Sequence, residues 1–113
     1  MPTQEVSIDQ RLLDPLKDLM DVPEAVHKAL KYYLVNQITN KISSLAQTDN
    51  HFKEKYGMGF ADFSCKLQQE EGFVDYLENS LQQKNWEDDY IEWEFCHKGI
   101  EDWSNKLKHI LMI

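Results

Sequence analysis

The sequence has few of the residues that interrupt helices or cross-link chains. Only four glycines, three prolines and two cysteines occur among its 113 residues. Cys65 and Cys96 are far apart and do not form a Cys-x-x-Cys pair. We therefore expect two reduced, structural cysteines in a cytosolic protein.

Long apolar runs are also lacking. No stretch approaches the length of a membrane span. Residues 1–6 contain neither the basic region nor the apolar region of a signal peptide. The prediction is a cytoplasmic location with no membrane partner.

Basic residues are scarce, and the net charge is −8. Residues 1–47 hold five basic and six acidic side chains, whereas residues 48–113 hold seven basic and fourteen acidic ones. Nucleic-acid binding depends on Lys and Arg that neutralise phosphates. The acidic half therefore argues against a nucleic-acid ligand and favours a basic protein partner.

The length predicts a single domain over residues 1–113, too small for both a core and a large enclosed active site. A chain of this size leaves about a third of its unfolded surface exposed. We therefore expect a homo-oligomer or a complex with a partner. Residues 1–47 form a dimerisation-like segment in this interpretation, and residues 48–113 an acidic partner-binding segment.

Apolar periodicity predicts an all-α fold, with four to five helices in a small bundle. Asp21 and Glu24 have the spacing of a capping box before a long helix that Gly57 ends. Polar residues 48–50 favour a break inside that helix. Further helices start near Phe60, Phe73 and Trp86. Residues 3–8 alternate in polarity and allow a short N-terminal strand.

The most informative stretch is residues 86–95, which combines five carboxylates with four aromatic rings. Helical spacing puts Trp86, Tyr90, Trp93, His97 and Ile100 on one face. Such a stripe has two interpretations. It either packs into the core while the carboxylates behind it face solvent, or it forms a surface that binds a partner. We predict a partner-binding surface of Trp86, Glu87, Asp88, Asp89, Tyr90, Glu92, Trp93 and Glu94.

The first third of the chain resembles the ribbon-helix-helix pattern of a brief strand, a helix, a turn and a second helix. The second helix would run from Pro23 to Leu34. The outward strand residues would be Glu5, Ser7 and Asp9, and carboxylates repel phosphates. If the ribbon forms, it would pair two chains instead of reading DNA.

A second resemblance spans roughly residues 22–103. Residues 55–63 (Lys-Tyr-Gly-Met-Gly-Phe-Ala-Asp-Phe) and 86–94 (Trp-Glu-Asp-Asp-Tyr-Ile-Glu-Trp-Glu) resemble segments of small acidic helical proteins of cyanobacteria and archaea. Those proteins look like antitoxin-type partners of small toxins. The resemblance implies a toxin-neutralising or similar partner-binding role without catalysis, and an acidic helix would mask the basic groove of an RNase-type toxin.

Two alternatives stay open. Glu24, His27, Glu94 and His97 form two Glu-x-x-His motifs, the spacing that di-metal carboxylate bundles with oxidoreductase activity use. Helical spacing puts both glutamates on the flanks of their stripes, so we predict no metal and no cofactor. Adjacent Cys96 and His97 point about 100° apart and do not suit a nucleophile–base pair. The other alternative is a structural homodimer whose aromatic stripe is core.

Overall fold

The computed structural model describes residues 7–113, and within that range the chain is all-α, with no strand. Four of its five helices are α1 (Gln10–Leu19), α2 (Val22–Tyr56), α3 (Phe60–Gln69) and α5 (Trp86–Leu111). Between them, α4 (Phe73–Asp75) continues into a π-helical turn, Tyr76–Ser80. The predicted fold class is confirmed. The strand predicted over residues 3–8 lies mostly outside the described residues, and Ser7 and Ile8 are irregular.

The ends of α2 follow only part of the predicted pattern. Gly57 ends the helix in the left-handed region, at φ 71°, and its amide donates to the carbonyl of Lys53. This position suits glycine because a side chain would be strained there. Asp21 is the N-cap residue, but its side chain makes no capping hydrogen bond, so the predicted capping box is not formed.

The predicted break at residues 48–50 does not occur, and α2 continues for 35 residues. Asp49 is the reason, because its carboxylate is bound by two other side chains. Trp93 Nε1 donates to it at 2.8 Å and Lys53 Nζ lies 3.0 Å away. A carboxylate held in this way no longer competes for its own backbone amides.

The fold is organised by the antiparallel pairing of α2 with α5. Cys96 Sγ donates to the carbonyl of Leu45, and Lys31 Nζ donates to the carbonyl of Ile113. Gly99 lets the helices approach closely, since a Cβ there would lie 3.1 Å from Leu45 Cδ1. The bundle is elongated as a result, with extents of 67 × 26 × 23 Å.

The core lies at one end of this rod, which we call the head (residues 48–105). It contains an aromatic cluster in which α3, α4 and the π-helical turn cover the paired helices. Phe63, Leu77 and Trp93 are completely buried. The buried members of the cluster are Phe52, Tyr56, Phe63, Phe73, Leu77 and Trp93. Burial of several large rings at one place makes the head the main source of stability.

The opposite end, which we call the arm, consists of residues 7–34 and 106–113. The apolar stripe predicted for α2 continues here, but it is not core: Leu30 is 58% exposed and Tyr33 60%. Helix α5 does reach this part of α2, since Lys31 contacts Ile113. Tyr33 is exposed because it lies about 120° around the helix from Leu45, which faces α5, and Leu30 lies about 60° from it, at the edge of the contact. Helix α1 does not cover this apolar face of α2 either, since none of the residues of α1 is buried.

Two phenylalanines test this distribution of the core. Phe63→Ala should lower the free energy of unfolding by about 3–5 kcal/mol because it removes a fully buried ring. Phe95→Ala, the matched control on the solvent side of α5, should change it by less than about 0.5 kcal/mol. Chemical denaturation measures both, and equal losses would contradict the placement of the core.

Candidate partner-binding surface

The aromatic stripe of α5 faces inward. The ring centroid of Trp93 lies 5.5 Å from that of Phe52, 5.8 Å from that of Tyr56 and 5.4 Å from that of Phe63. Trp93 was among the predicted partner-binding residues, and the structure places it in the core instead. Trp86 and Tyr90 are half-buried at the edge of the same cluster.

Asp49 holds the Trp93 indole in place. Partial burial would raise the pKa of this carboxyl, but the hydrogen bond from Trp93 and the charge of Lys53 outweigh the burial and keep its pKa below the ordinary value. Asp49 is therefore ionised at neutral pH and accepts from the indole. This contact fixes the rotation of α5 against α2.

Asp89 makes a second contact of this kind. Lys55 Nζ lies 2.6 Å from its Oδ2, and the Tyr56 hydroxyl donates to the same oxygen at 2.5 Å. Partial burial opposes ionisation of Asp89, yet the Lys55 and Tyr56 hydrogen bonds lower its pKa. Burial and the neighbouring carboxylate together raise the pKa of Tyr56. Asp89 was predicted to bind a partner, but the structure bonds it within the chain.

The outward face of α5 carries a different pair of apolar residues. Ile91 is 68% exposed and Phe95 75%, and they are four positions apart on one helix face. Carboxylates flank them: Glu87, Asp88 and Glu92 are exposed, and Glu94 is half-buried and paired with Lys98 at 3.2 Å. We call this surface the acidic ridge; it consists of Glu87, Asp88, Ile91, Glu92, Glu94 and Phe95.

An open groove adjoins the acidic ridge. Its volume is about 370 Å³, and its walls combine three predicted residues with three new ones: Trp86, Glu87, Tyr90, Leu67, Val74 and Ile91. Trp86 Nε1 donates to Glu78 at 3.2 Å, and the hydroxyls of Tyr90 and Ser64 lie 3.2 Å apart. Both rings are thus fixed by internal contacts and line the groove.

Sequence reasoning missed Ile91 and Phe95, although a signal was available. Both lie two positions from Trp93, which is about 160° around a helix. Once Trp93 is assigned to the core, these two residues must face solvent. An exposed aliphatic–aromatic pair on the outer side of a helix is the informative observation, since single exposed apolar residues are common.

The two Glu-x-x-His motifs lie far apart. His27 lines a groove in the arm, whereas His97 packs its ring 4.8 Å from that of Phe60 in the head. Cys96, next to His97, contacts Leu45, and eighteen helical residues separate Leu45 from His27, or about 27 Å. Residues 7–113 contain no group of three or more His, Cys, Asp or Glu that could hold a metal ion. The two motifs therefore do not form one site.

The cysteines have separate environments. Cys65 is exposed, and Cys96 is buried with its thiol donating to a backbone carbonyl 2.8 Å away. Burial, reinforced by the charge of Asp49, raises the pKa of the Cys96 thiol. A thiol in this state is a poor nucleophile because the thiolate is the reactive form.

No protein-family model, curated protein or solved structure matches this chain. Among the helices of residues 7–113, none combines the length and apolar character needed to cross a bilayer. The resemblance to antitoxin-type proteins stays a prediction from the sequence, and the geometry of the acidic ridge is the basis for a functional proposal.

Asp88 and Asp89 provide a matched test of the internal contact. Asp89→Asn should lower the free energy of unfolding at neutral pH by about 2 kcal/mol, because it removes a charged acceptor from Lys55 and Tyr56. Asp88→Asn, on the exposed ridge, should change it little.

The effect of Asp89 should depend on pH in a defined direction. A carboxyl whose folded-state pKa is lowered stabilises the fold above its unfolded-state pKa, and this contribution is lost as the pH falls through the folded-state pKa. Urea denaturation between about pH 7 and about pH 3 should therefore show the wild-type advantage over Asp89→Asn narrowing on acidification. An advantage that is independent of pH would contradict the ionised contact.

Proposed function

We propose that this chain is a non-catalytic protein-interaction module of antitoxin type, which covers a basic surface on a protein partner. One observation carries the proposal: the exposed Ile91 and Phe95 lie among four carboxylates on one outward helix face. Apolar anchors inside a polar rim are the usual composition of a specific interface.

The charge of the head supports a partner of opposite sign. Residues 48–105 hold fourteen acidic and five basic side chains, a net charge of −9. Five of the acidic groups make contacts within the chain, namely Asp49, Asp75, Glu78, Asp89 and Glu94. Of the ridge carboxylates, Glu87, Asp88 and Glu92 remain to attract Lys or Arg. Such complementarity raises the association rate, whereas apolar contacts mainly slow dissociation.

An RNase-type toxin is one partner that fits this surface, and it agrees with the toxin-neutralising role that the sequence resemblance implies. Such an enzyme needs a basic groove for the phosphates of RNA. A helix that brings Glu87, Asp88 and Glu92 into that groove would block RNA through both charge and bulk, while Phe95 and Ile91 would anchor it.

Charge reversal on the ridge tests the electrostatic part. The antitoxin-type proteins that this chain resembles are encoded beside their toxins, so the partner to test is the product of the adjacent gene. The double variant Asp88→Lys with Glu92→Lys should lower its rate of association by about tenfold at low salt. Asp89 is left unchanged because its substitution would disturb the fold. Surface plasmon resonance at several salt concentrations measures the rate.

The matched control is Asp14→Lys with Asp18→Lys, which makes the same change of charge on exposed residues of α1. The control should retain most of the wild-type rate. An equal loss in both variants would indicate a nonspecific charge effect, and an unchanged rate in the ridge variant would show that the ridge is only solvated surface.

Polar substitution of the anchors tests the apolar part. Ile91→Ser with Phe95→Ser should raise the dissociation rate by tenfold or more, on the order of 1–2 kcal/mol per anchor, with little change in the association rate. Circular dichroism checks that the helix content is kept. Unaltered dissociation would mean that the partner does not contact these side chains.

A further inference from the structure

The arm exposes more apolar surface than a lone helical rod requires. Of the fourteen large hydrophobic side chains exposed in residues 7–113, ten lie in the arm. On α2, Val26, Leu30 and Tyr33 share one face at positions i, i+4 and i+7. Contiguous apolar patches of this kind mark interaction sites on soluble proteins.

The exposed area and the shape of the molecule also indicate an uncovered interaction surface. A compact monomer of 13.4 kDa exposes roughly 6,500 Å², whereas this chain exposes 8907 Å². Its radius of gyration is 22.0 Å, against about 13 Å for a compact domain of this length. A stable interface needs about 800 Å² from each partner, and a third of the excess area supplies it.

A shallow groove in the arm is the right size for a side chain. It lies between α2 and the end of α5 and has a volume of about 160 Å³. Ligand pockets are larger, on the order of 300–1,000 Å³. Its lining is mostly apolar and consists of His27, Leu30, Lys31, Leu34, Ile110 and Ile113. This groove suits an apolar side chain from another protein better than a small molecule.

The net charge of the arm favours a second copy of this chain over other binding partners. Residues 7–34 hold four basic and five acidic side chains, and residues 106–113 add two lysines, so the arm has a net charge of about +1. Two nearly neutral arms do not repel one another, whereas two heads of charge −9 would. A strongly basic or acidic partner has little reason to prefer the arm.

We infer that the arm is a self-association surface, through which two copies of this chain pair about a two-fold axis. The same apolar face then serves both copies, since Leu30 and Tyr33 of each contact the arm of the other. The acidic heads lie at opposite ends of the dimer, and each ridge stays free for a partner. This inference does not depend on the function proposed for the ridge.

Sedimentation equilibrium of the wild-type chain tests the inference. It should give twice 13.4 kDa at concentrations in the roughly 10–100 µM range. Added salt should leave the dimer intact because the arm is nearly neutral, in contrast to ridge binding, which salt should weaken. A mass of 13.4 kDa throughout this range would overturn the inference.

A matched pair of variants locates the interface. Leu30→Glu with Tyr33→Glu should give a monomer, with at least a hundredfold loss of self-affinity, because it puts charge at the two-fold interface. Ile91→Glu with Phe95→Glu makes the same kind of change in the head and should leave the dimer intact. A dimer that survives the arm variant, or that only the head variant dissociates, would overturn the inference. Near-wild-type circular dichroism and tryptophan fluorescence of the arm variant, whose three tryptophans lie elsewhere, show that its fold is kept.

Discussion

The position of the Trp93 indole determines how the rest of the head is arranged. Its ring lies among Phe52, Tyr56 and Phe63, and its N–H donates to Asp49, so the rotation of α5 about its own axis is fixed. An α-helix is rigid enough that fixing one face fixes the opposite one. Burial of Trp93 therefore presents Ile91 and Phe95 to solvent. The same rotation of α5 about its axis thus determines both the core and the candidate binding surface.

The two ends of the rod differ because the covering elements are unevenly distributed. Helix α3, α4 and the π-helical turn all pack at the head, where six large side chains are buried together. The arm has only α1, which buries none of its residues. The head is thus a complete core with an acidic outside, whereas the arm leaves its apolar face uncovered. Two surfaces of different chemistry result, separated along a molecule 67 Å long.

The local sequence correctly predicted helix ends, because these depend mainly on neighbouring residues. The stop of α2 at Gly57 and the start of α5 at Trp86 followed from a glycine and from periodicity, and both are confirmed. The sequence did not distinguish Asp88 from Asp89. Only Asp89 is bound within the chain, and its partners Lys55 and Tyr56 lie more than thirty residues earlier. The exposure of Leu30 and Tyr33 was likewise not predictable, since periodicity identifies an apolar face but not which part of that face another helix covers.

The central claim is that the outward face of α5, and not its tryptophan face, meets the partner. Amide and indole chemical shifts recorded while the adjacent gene's product is titrated in test it most directly. We expect changes concentrated at Asp88, Ile91, Glu92 and Phe95, with the Trp93 indole N–H unmoved in its bond to Asp49. A large shift of that indole resonance, with the ridge amides unchanged, would contradict the claim.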